Sequence, residues 1–371
     1  MKSVAVFFGG KSVEHDISIL SGVMALNSID KSKFNPIPIY VDRLGEWFSG
    51  ETLFDLDEYK KLEQKDLKKV CIVQGENALY QIKGKKLKKI DNIFCAVNCL
   101  HGERGEDGCL AGLLAMSNIP ITSSGLLPSA ISMDKSFSKI ALKGLGVPVL
   151  KSITVKSVKE VDRALKTFDF PLIVKPNLLG SSIGISKATD KRSLLLGISN
   201  ALKYGESAII EPFLSDFIEI NCAVFRDDNG IINISECERP IARDKILSFG
   251  DKYQEGKREF PAKIDKEISN KIKKLTQKVY ERLNFDGVVR IDYFVVNDKV
   301  YLNEINSVPG SLSYYLFYDT MKGFSKMLTR LIMASERKFL KNNTIITEYN
   351  SGILTSFGSK GGKTLVKRKG L

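Results

Sequence analysis

The chain has 371 residues and a net charge of +13 from 56 lysines and arginines against 43 acids. That length exceeds what one hydrophobic core holds and predicts two or three domains. No apolar run is long enough to span a bilayer, and the first ten residues are too short and lack a cleavage site for a secretory leader, so a cytoplasmic location is expected.

The excess lysine is spread over residues 60–69, 83–89, 156–166 and 266–278 with helix or turn spacing. This reads as solvated faces and argues against nucleic-acid binding by the body of the protein. Only the end, from Lys360 to Lys369, concentrates positive charge. The six cysteines show no CxxC spacing and sit mostly in apolar segments, which predicts reduced, buried thiols. With His15 and His101 the only histidines, a zinc site has too few ligands.

Residues 1–127 alternate strands and helices: a strand at 4–8, a loop into a helix over 12–29, a strand at 35–41 interrupted by Pro36 and Pro38, an apolar strand at 92–98 and a helix at 111–116. The pattern predicts an α/β domain with a mostly parallel sheet, and 43–90 reads as its least regular part. Residues 128–210 read as a small α+β unit, with helices at 134–145, 157–168 and 191–203 and strands at 152–155, 172–175 and 208–211. Residues 211–340 carry strands at 218–225 and 231–235, helices at 266–283 and 314–336, and a hairpin. Beyond 340 an extra strand near 352–357 and a loose tail are expected.

The hairpin carries the densest chemistry. Arg290 and Asp292 share one face of its first strand, and Glu304 and Asn306 share one face of its second. If those faces coincide, two carboxylates and an amide oxygen converge beside a guanidinium. Such hard oxygen donors suit Mg²⁺ bridging to substrate phosphates; a plain surface salt bridge is the alternative.

Other segments add to this. Lys175 ends a strand and precedes the loop Gly180-Ser-Ser-Ile-Gly184, whose backbone N–H groups and hydroxyls suit phosphates. Glu211, Pro212, Phe213 and Leu214 form an extended segment whose backbone can read a base edge, and Glu219 suits ribose hydroxyls. Lys252 and Tyr253 lie on a polar, glycine-flanked loop suited to a lid over an anionic substrate. Glu14 follows the first strand and the acidic loop 101–108 follows another, which suggests a common pocket at one sheet edge. Asp107 equally suits a helix cap. Gly9-Gly10-Lys11-Ser12 is not a P-loop, because that pattern needs a glycine where this chain has Ala5.

In their order along residues 1–338, these motifs resemble the D-alanine–D-alanine ligases of the ATP-grasp superfamily. The resemblance implies the N-terminal α/β domain followed by a two-domain ATP-grasp fold, with ATP between the sheets of 128–210 and 211–340. It implies that Lys135 and Lys175 bind ATP phosphate, that Ser181, Ser182 and Lys252 also contact ATP, that Glu211 to Leu214 hold adenine and that Glu219 holds the ribose. Asp292, Glu304 and Asn306 would bind two Mg²⁺ or Mn²⁺. Glu14 would anchor the first D-alanine and join Ser181 and Tyr253 in a hydrogen-bonded set, with His101 also at the substrate. Arg290 and the Gly310 backbone N–H would stabilise the tetrahedral centre, and Lys252 the second carboxylate. The resemblance further implies a homodimer that makes D-alanyl-D-alanine for peptidoglycan.

One departure concerns Tyr315, which stands where many members carry the second serine of a Ser-x-Ser pattern. The alternatives are another ATP-grasp ligase, including one that uses D-lactate, or an inactive polyanion-binding relative.

Overall fold

The apolar run at the start of the chain becomes the centre of the first sheet. In the computed structural model, which describes residues 1–61, 64–241 and 257–353, strand β1 (Lys2–Gly9) has Val4 to Phe8 wholly buried. Helix α1 (His15–Ser28) crosses to β2 (Phe34–Val41), parallel to β1. Pro36 and Pro38 do not break β2. Its far edge is covered by β3 (Trp47–Ser49) only at Tyr40 and Val41, so the missing proline N–H groups forfeit no ladder bond.

The stretch read as irregular is in fact strand-rich. β3, β4 (Lys68–Ile72), β5 (Ala78–Lys83) and β6 (Lys86–Asn92) form an antiparallel extension of the sheet. Their exposed lysines hide the period-two signal. β7 (Cys95–Asn98) then returns parallel to β1 on its other side, and α2 (Cys109–Met116) follows. The sheet is therefore mixed, with its parallel part at β7-β1-β2. Strand β1 ends in a turn that only glycine fits: Gly9 has φ +89°, and a Cβ there would lie 2.2 Å from the Val41 carbonyl oxygen.

Helices α3 (Leu126–Met133) and α4 (Lys135–Gly144) lead into the second region. Asp134 caps α4 by accepting from the Ser136 and Phe137 N–H groups. The second sheet comprises β8 (Ile153–Val155), β9 (Leu172–Pro176), β10 (Ser186–Ala188) and β11 (Ala208–Pro212), all antiparallel, packed against α5 (Val161–Leu165) and α6 (Lys191–Ala201).

The third sheet is built on β12 (Ile218–Arg226), with β13 (Ile232–Ile234) on one side. The short strands β14 (Arg239–Pro240) and β15 (Arg258–Glu259) pair separately. Helix α7 (Lys266–Arg282) packs Ile272, Val279 and Tyr280 onto this sheet. Strands β16 (Val288–Val296) and β17 (Lys299–Asn306) complete it in the order β13-β12-β16-β17.

The helix expected from 314 begins later. Residues 310–316 form a tight turn in which Ser311, Leu312 and Ser313 have φ near +50°, and α8 starts at Met321 (Met321–Asn342). The chain divides into two units, one of residues 1–336 and one that begins at Arg337. In the second unit, Ile345 and Ile346 form no strand; the rest of the strand expected near 352–357, and the basic end, lie outside the described residues beyond Ile353. All six cysteines are free, Cys109 being exposed and Cys71 half-buried rather than buried. No described helix is long and apolar enough to cross a membrane.

Candidate active site

The β16–β17 hairpin turns at Asn297 and Asp298, both with positive φ, as a two-residue polar turn requires. Its register pairs Arg290 with Asn306 and Asp292 with Glu304, so the two functional faces do coincide. A bulge shifts the register between Asp292 and Tyr293. This explains how the adjacent Asn303 and Glu304 both line one cleft, which strict alternation forbids. Arg290 grips Asp292 as a fork, Nε to Oδ1 at 2.7 Å and Nη2 to Oδ2 at 2.9 Å. Asn306 Nδ2 donates to the same Oδ2 at 3.1 Å.

A cleft of about 840 Å³ separates the second and third sheets. Ile173, Leu179, Leu214, Phe217 and Phe294 make its apolar walls, and Phe217 and Phe294 meet edge to face at 4.7 Å. Its polar floor is a buried charge cluster. Glu211 is ion-paired with Lys139 and, at 2.8 Å, with Lys175. Burial opposes the Glu211 charge, but the two ammonium groups win and hold its carboxyl at about 2. Burial, only partly offset by Glu211, lowers the Lys139 pKa. Lys135 donates to the Leu179 carbonyl at 2.7 Å and lies 3.7 Å from Glu304. Pro212, Phe213, Glu219 and Ser182 also line this cleft.

A second, polar cavity of about 1270 Å³ is lined by Glu14, Ser181, Glu219, Arg290, Glu304, Asn306 and Gly310, among others. The Ser181 hydroxyl donates to the Glu14 carboxylate, joining the 180–184 loop to the start of α1. Tyr253, the expected third member of that set, and Lys252 lie outside the described residues.

His101 has a different place from the direct substrate contact expected. It is 3% exposed, and both ring nitrogens are engaged, Nδ1 with the Val308 carbonyl at 2.8 Å and Nε2 with Ser21 Oγ at 2.9 Å. Burial pushes its pKa down to about 4, so the ring is neutral near pH 7. It donates from Nδ1 and accepts the Ser21 hydroxyl at Nε2; Ser21 Oγ in turn accepts the Ser311 N–H at 2.9 Å. This chain of bonds ties His101 to the turn that carries Gly310.

Comparison with known proteins gives the family. The family described as D-ala D-ala ligase N-terminus matches residues 3–124, and D-ala D-ala ligase C-terminus matches 141–333. The chain belongs to the D-alanine–D-alanine ligase family. Members of this family are ATP-dependent ligases. The D-alanine–D-alanine ligase of Thermosipho melanesiensis is 36% identical over 360 residues, covering 94% of this chain and 98% of that one. That of Caldicellulosiruptor bescii is 35% identical over 362 residues, covering 92% and 97%. Among solved structures, the D-alanine–D-alanine ligase of Helicobacter pylori matches with a TM-score of 0.74 at 28% identity, covering 89% of this chain and 98% of that one. A D-Ala:D-Ser ligase of Enterococcus faecalis matches with a TM-score of 0.77 at 30% identity, covering 90% and 99%.

Sequence reasoning missed two site residues. Lys139 lies one turn beyond Lys135 on α4, and both are buried on the side that carries Leu142; lysines at core positions of an amphipathic helix are the signal. Glu106 accepts from the Gly102 N–H at 2.8 Å and the Val308 N–H at 3.2 Å. Burial, then the Glu14 charge, pushes its pKa up to about 8. The acidic loop was visible in the sequence, but nothing in it singled out Glu106.

Proposed function

We propose that this chain joins two D-alanines into D-alanyl-D-alanine, with ATP converted to ADP and phosphate, as a cytoplasmic step toward a peptidoglycan precursor. One observation carries this reading above all: Glu304 and its neighbours line both the apolar, lysine-floored cleft and the polar cavity. A phosphoryl group in the first therefore meets a carboxylate in the second.

The first D-alanine presents its carboxylate to the γ-phosphorus of ATP, ADP leaves, and an acyl phosphate forms. The amine of the second D-alanine attacks the acyl carbon, loses a proton, and expels phosphate. Lys135 and Lys175 offset phosphate charge. Glu14 holds the first ammonium, and Arg290 with the Gly310 N–H faces the oxyanion. His101 and Glu106 fix the backbone that aims Gly310.

The donor set at the hairpin fits a hard divalent ion. Two carboxylates and an amide oxygen stand in register beside compensating Arg290 and Lys135. Mg²⁺ typically takes one or two carboxylates plus phosphates. Asp292, Glu304 and Asn306 would hold two Mg²⁺ or Mn²⁺, which supply charge neutralisation for phosphoryl transfer.

The homodimer is proposed to form through α2, α3 and α4. Leu113, Met116, Leu126, Leu127, Phe137 and Ile140 are exposed there, and neither α2 nor α3 carries a charge. Lys143 of α4 is exposed beside Ile140, but the rest of this face is uncharged, which limits repulsion between two copies of a chain of net charge +13. These side chains leave on the order of 600 Å² exposed, approaching the roughly 800 Å² per partner of a stable interface.

The test of function is ADP release with D-alanine, L-alanine, D-serine or D-lactate, with products identified by mass. D-alanine-dependent ADP release with a D-alanyl-D-alanine product is expected. Equal ADP release without any amino acid removes the reading.

A further inference from the structure

The polar cavity contains an arginine that the steps above leave unused. Arg258 lies on β15 and lines the same space as Glu14, Ser181, Arg290 and Gly310. Its guanidinium carbon stands 4.5 Å from the centre of the Tyr315 ring and 5.5 Å from that of Phe260. Its Nη1 donates to Glu238 Oε1 at 3.1 Å. Glu238 is itself fixed: its Oε2 accepts from Asn221 Nδ2 at 3.2 Å, and the two residues exchange backbone bonds of 2.8 and 2.9 Å. The Arg258 side chain is 37% exposed while its partner Glu238 is 5% exposed. A buried carboxylate and a stacked ring thus set the plane of a guanidinium that still reaches the cavity.

The charge distribution gives this arginine a use. Lys135, Lys139 and Lys175 serve the nucleotide cleft, and Lys257 lines the polar cavity beside Arg258. Arg290 spends Nε and Nη2 on Asp292. In the ligation reading, the first amino acid reacts through its carboxylate, whereas the second keeps its carboxylate intact. That spectator carboxylate, for which the resemblance implies Lys252, still has room for a planar cation with paired donors, and a guanidinium has five N–H groups in a rigid fork. Stacking on Tyr315 prepays the ordering of the side chain.

We propose that Arg258, braced by Tyr315 and Glu238, receives the carboxylate of the second amino acid and so selects acceptors that carry one. The proposal rests on the ligation reading. It also gives Tyr315, which interrupts the Ser-x-Ser pattern, a task as the platform for Arg258.

The test uses the full-length enzyme with Arg258→Ala, Arg258→Lys and Tyr315→Leu, measuring dipeptide formation with D-alanine as acceptor and, separately, with D-alaninamide, which has no carboxylate. Loss of a charge-assisted pair predicts an acceptor KM raised about 10–100-fold in Arg258→Ala. Smaller rises are expected in Arg258→Lys and Tyr315→Leu. The KM for ATP should stay unchanged, and D-alaninamide should be used equally by wild type and Arg258→Ala. An acceptor KM within twofold of wild type in Arg258→Ala overturns the assignment, as does equal loss of D-alanine and D-alaninamide use. In either case dipeptide formation by the wild type leaves the ligation reading standing; a wild type that forms no dipeptide overturns both.

Discussion

The lysine-floored cleft takes its polar side chains largely from regular elements: Lys175 from β9, Glu211 from β11, Lys135 and Lys139 from α4, and Glu304 from β17. The polar cavity is closed instead by loops that hold one another across the chain. His101 reaches Val308, Glu106 reaches Val308, and Ser311 reaches Ser21 across 290 residues of sequence. The first half inherits its geometry from sheet registers. The second depends on a few buried polar bonds, each made only once the whole chain has folded. The two halves should therefore fail in different ways: damage to the cleft should abolish phosphoryl transfer or destabilise the fold, and damage to the cavity should misplace a loop.

The largest effect is expected at the shared edge. Glu304→Gln keeps the shape and removes the charge, and turnover should fall by about three orders of magnitude or more while the protein stays folded. Rapid-quench ADP measurement and circular dichroism check both halves of that statement; near-normal turnover with unchanged Mg²⁺ dependence would refute the assignment. Next is Glu211→Gln, which leaves Lys139 and Lys175 buried without their carboxylate. Breaking a buried ion pair from one side costs about 3–5 kcal/mol, so urea unfolding should shift by that amount, and an unshifted midpoint would mean the cluster is not what supports the cleft.

The cavity should show its own signature in pH. His101 has a folded pKa near 4, below its ordinary 6.5, so the unfolded chain binds more protons between those values. Its contribution is complete above about pH 6.5 and is lost as pH falls through 4, up to about 3 kcal/mol. In the cleft, Glu211, held at about 2, adds a separate loss as pH falls from about 4.5 toward 2. His101→Gln should remove the first of these slopes from a melting-temperature series. It should also lower kcat about 10–100-fold by releasing the Gly310 turn. An unchanged slope with unchanged kcat contradicts the positioning role.

The smallest effect concerns the outside of α4. Phe137→Glu should convert a dimer to a monomer by light scattering while leaving the catalytic side of the helix in place. A monomeric wild type, or a dimer indifferent to the substitution, moves the interface elsewhere.

The same contrast governs what was legible in the sequence. The hairpin could be read to the residue, because alternation fixes which side chains share a face and Asn297-Asp298 marks the turn. The Lys175 strand and the loop after it were equally plain. The strands between 47 and 92 were not, because exposed lysines replace the apolar half of their alternation. The left-handed turn at 311–313 was missed because no glycine announces it; there the Ser21 and Pro309 bonds override intrinsic preference. His101 looked like a ligand contact because a histidine in an acidic loop carries no mark of its own burial.

The central claim is that the cleft and the cavity meet so that a carboxylate of one substrate takes the phosphoryl group of the other. It is tested most directly with D-alanine labelled with ¹⁸O in its carboxylate, by mass analysis of the phosphate released during turnover. The account predicts that each phosphate carries one ¹⁸O from the carboxylate, in step with dipeptide formed. Unlabelled phosphate accompanying dipeptide would contradict it.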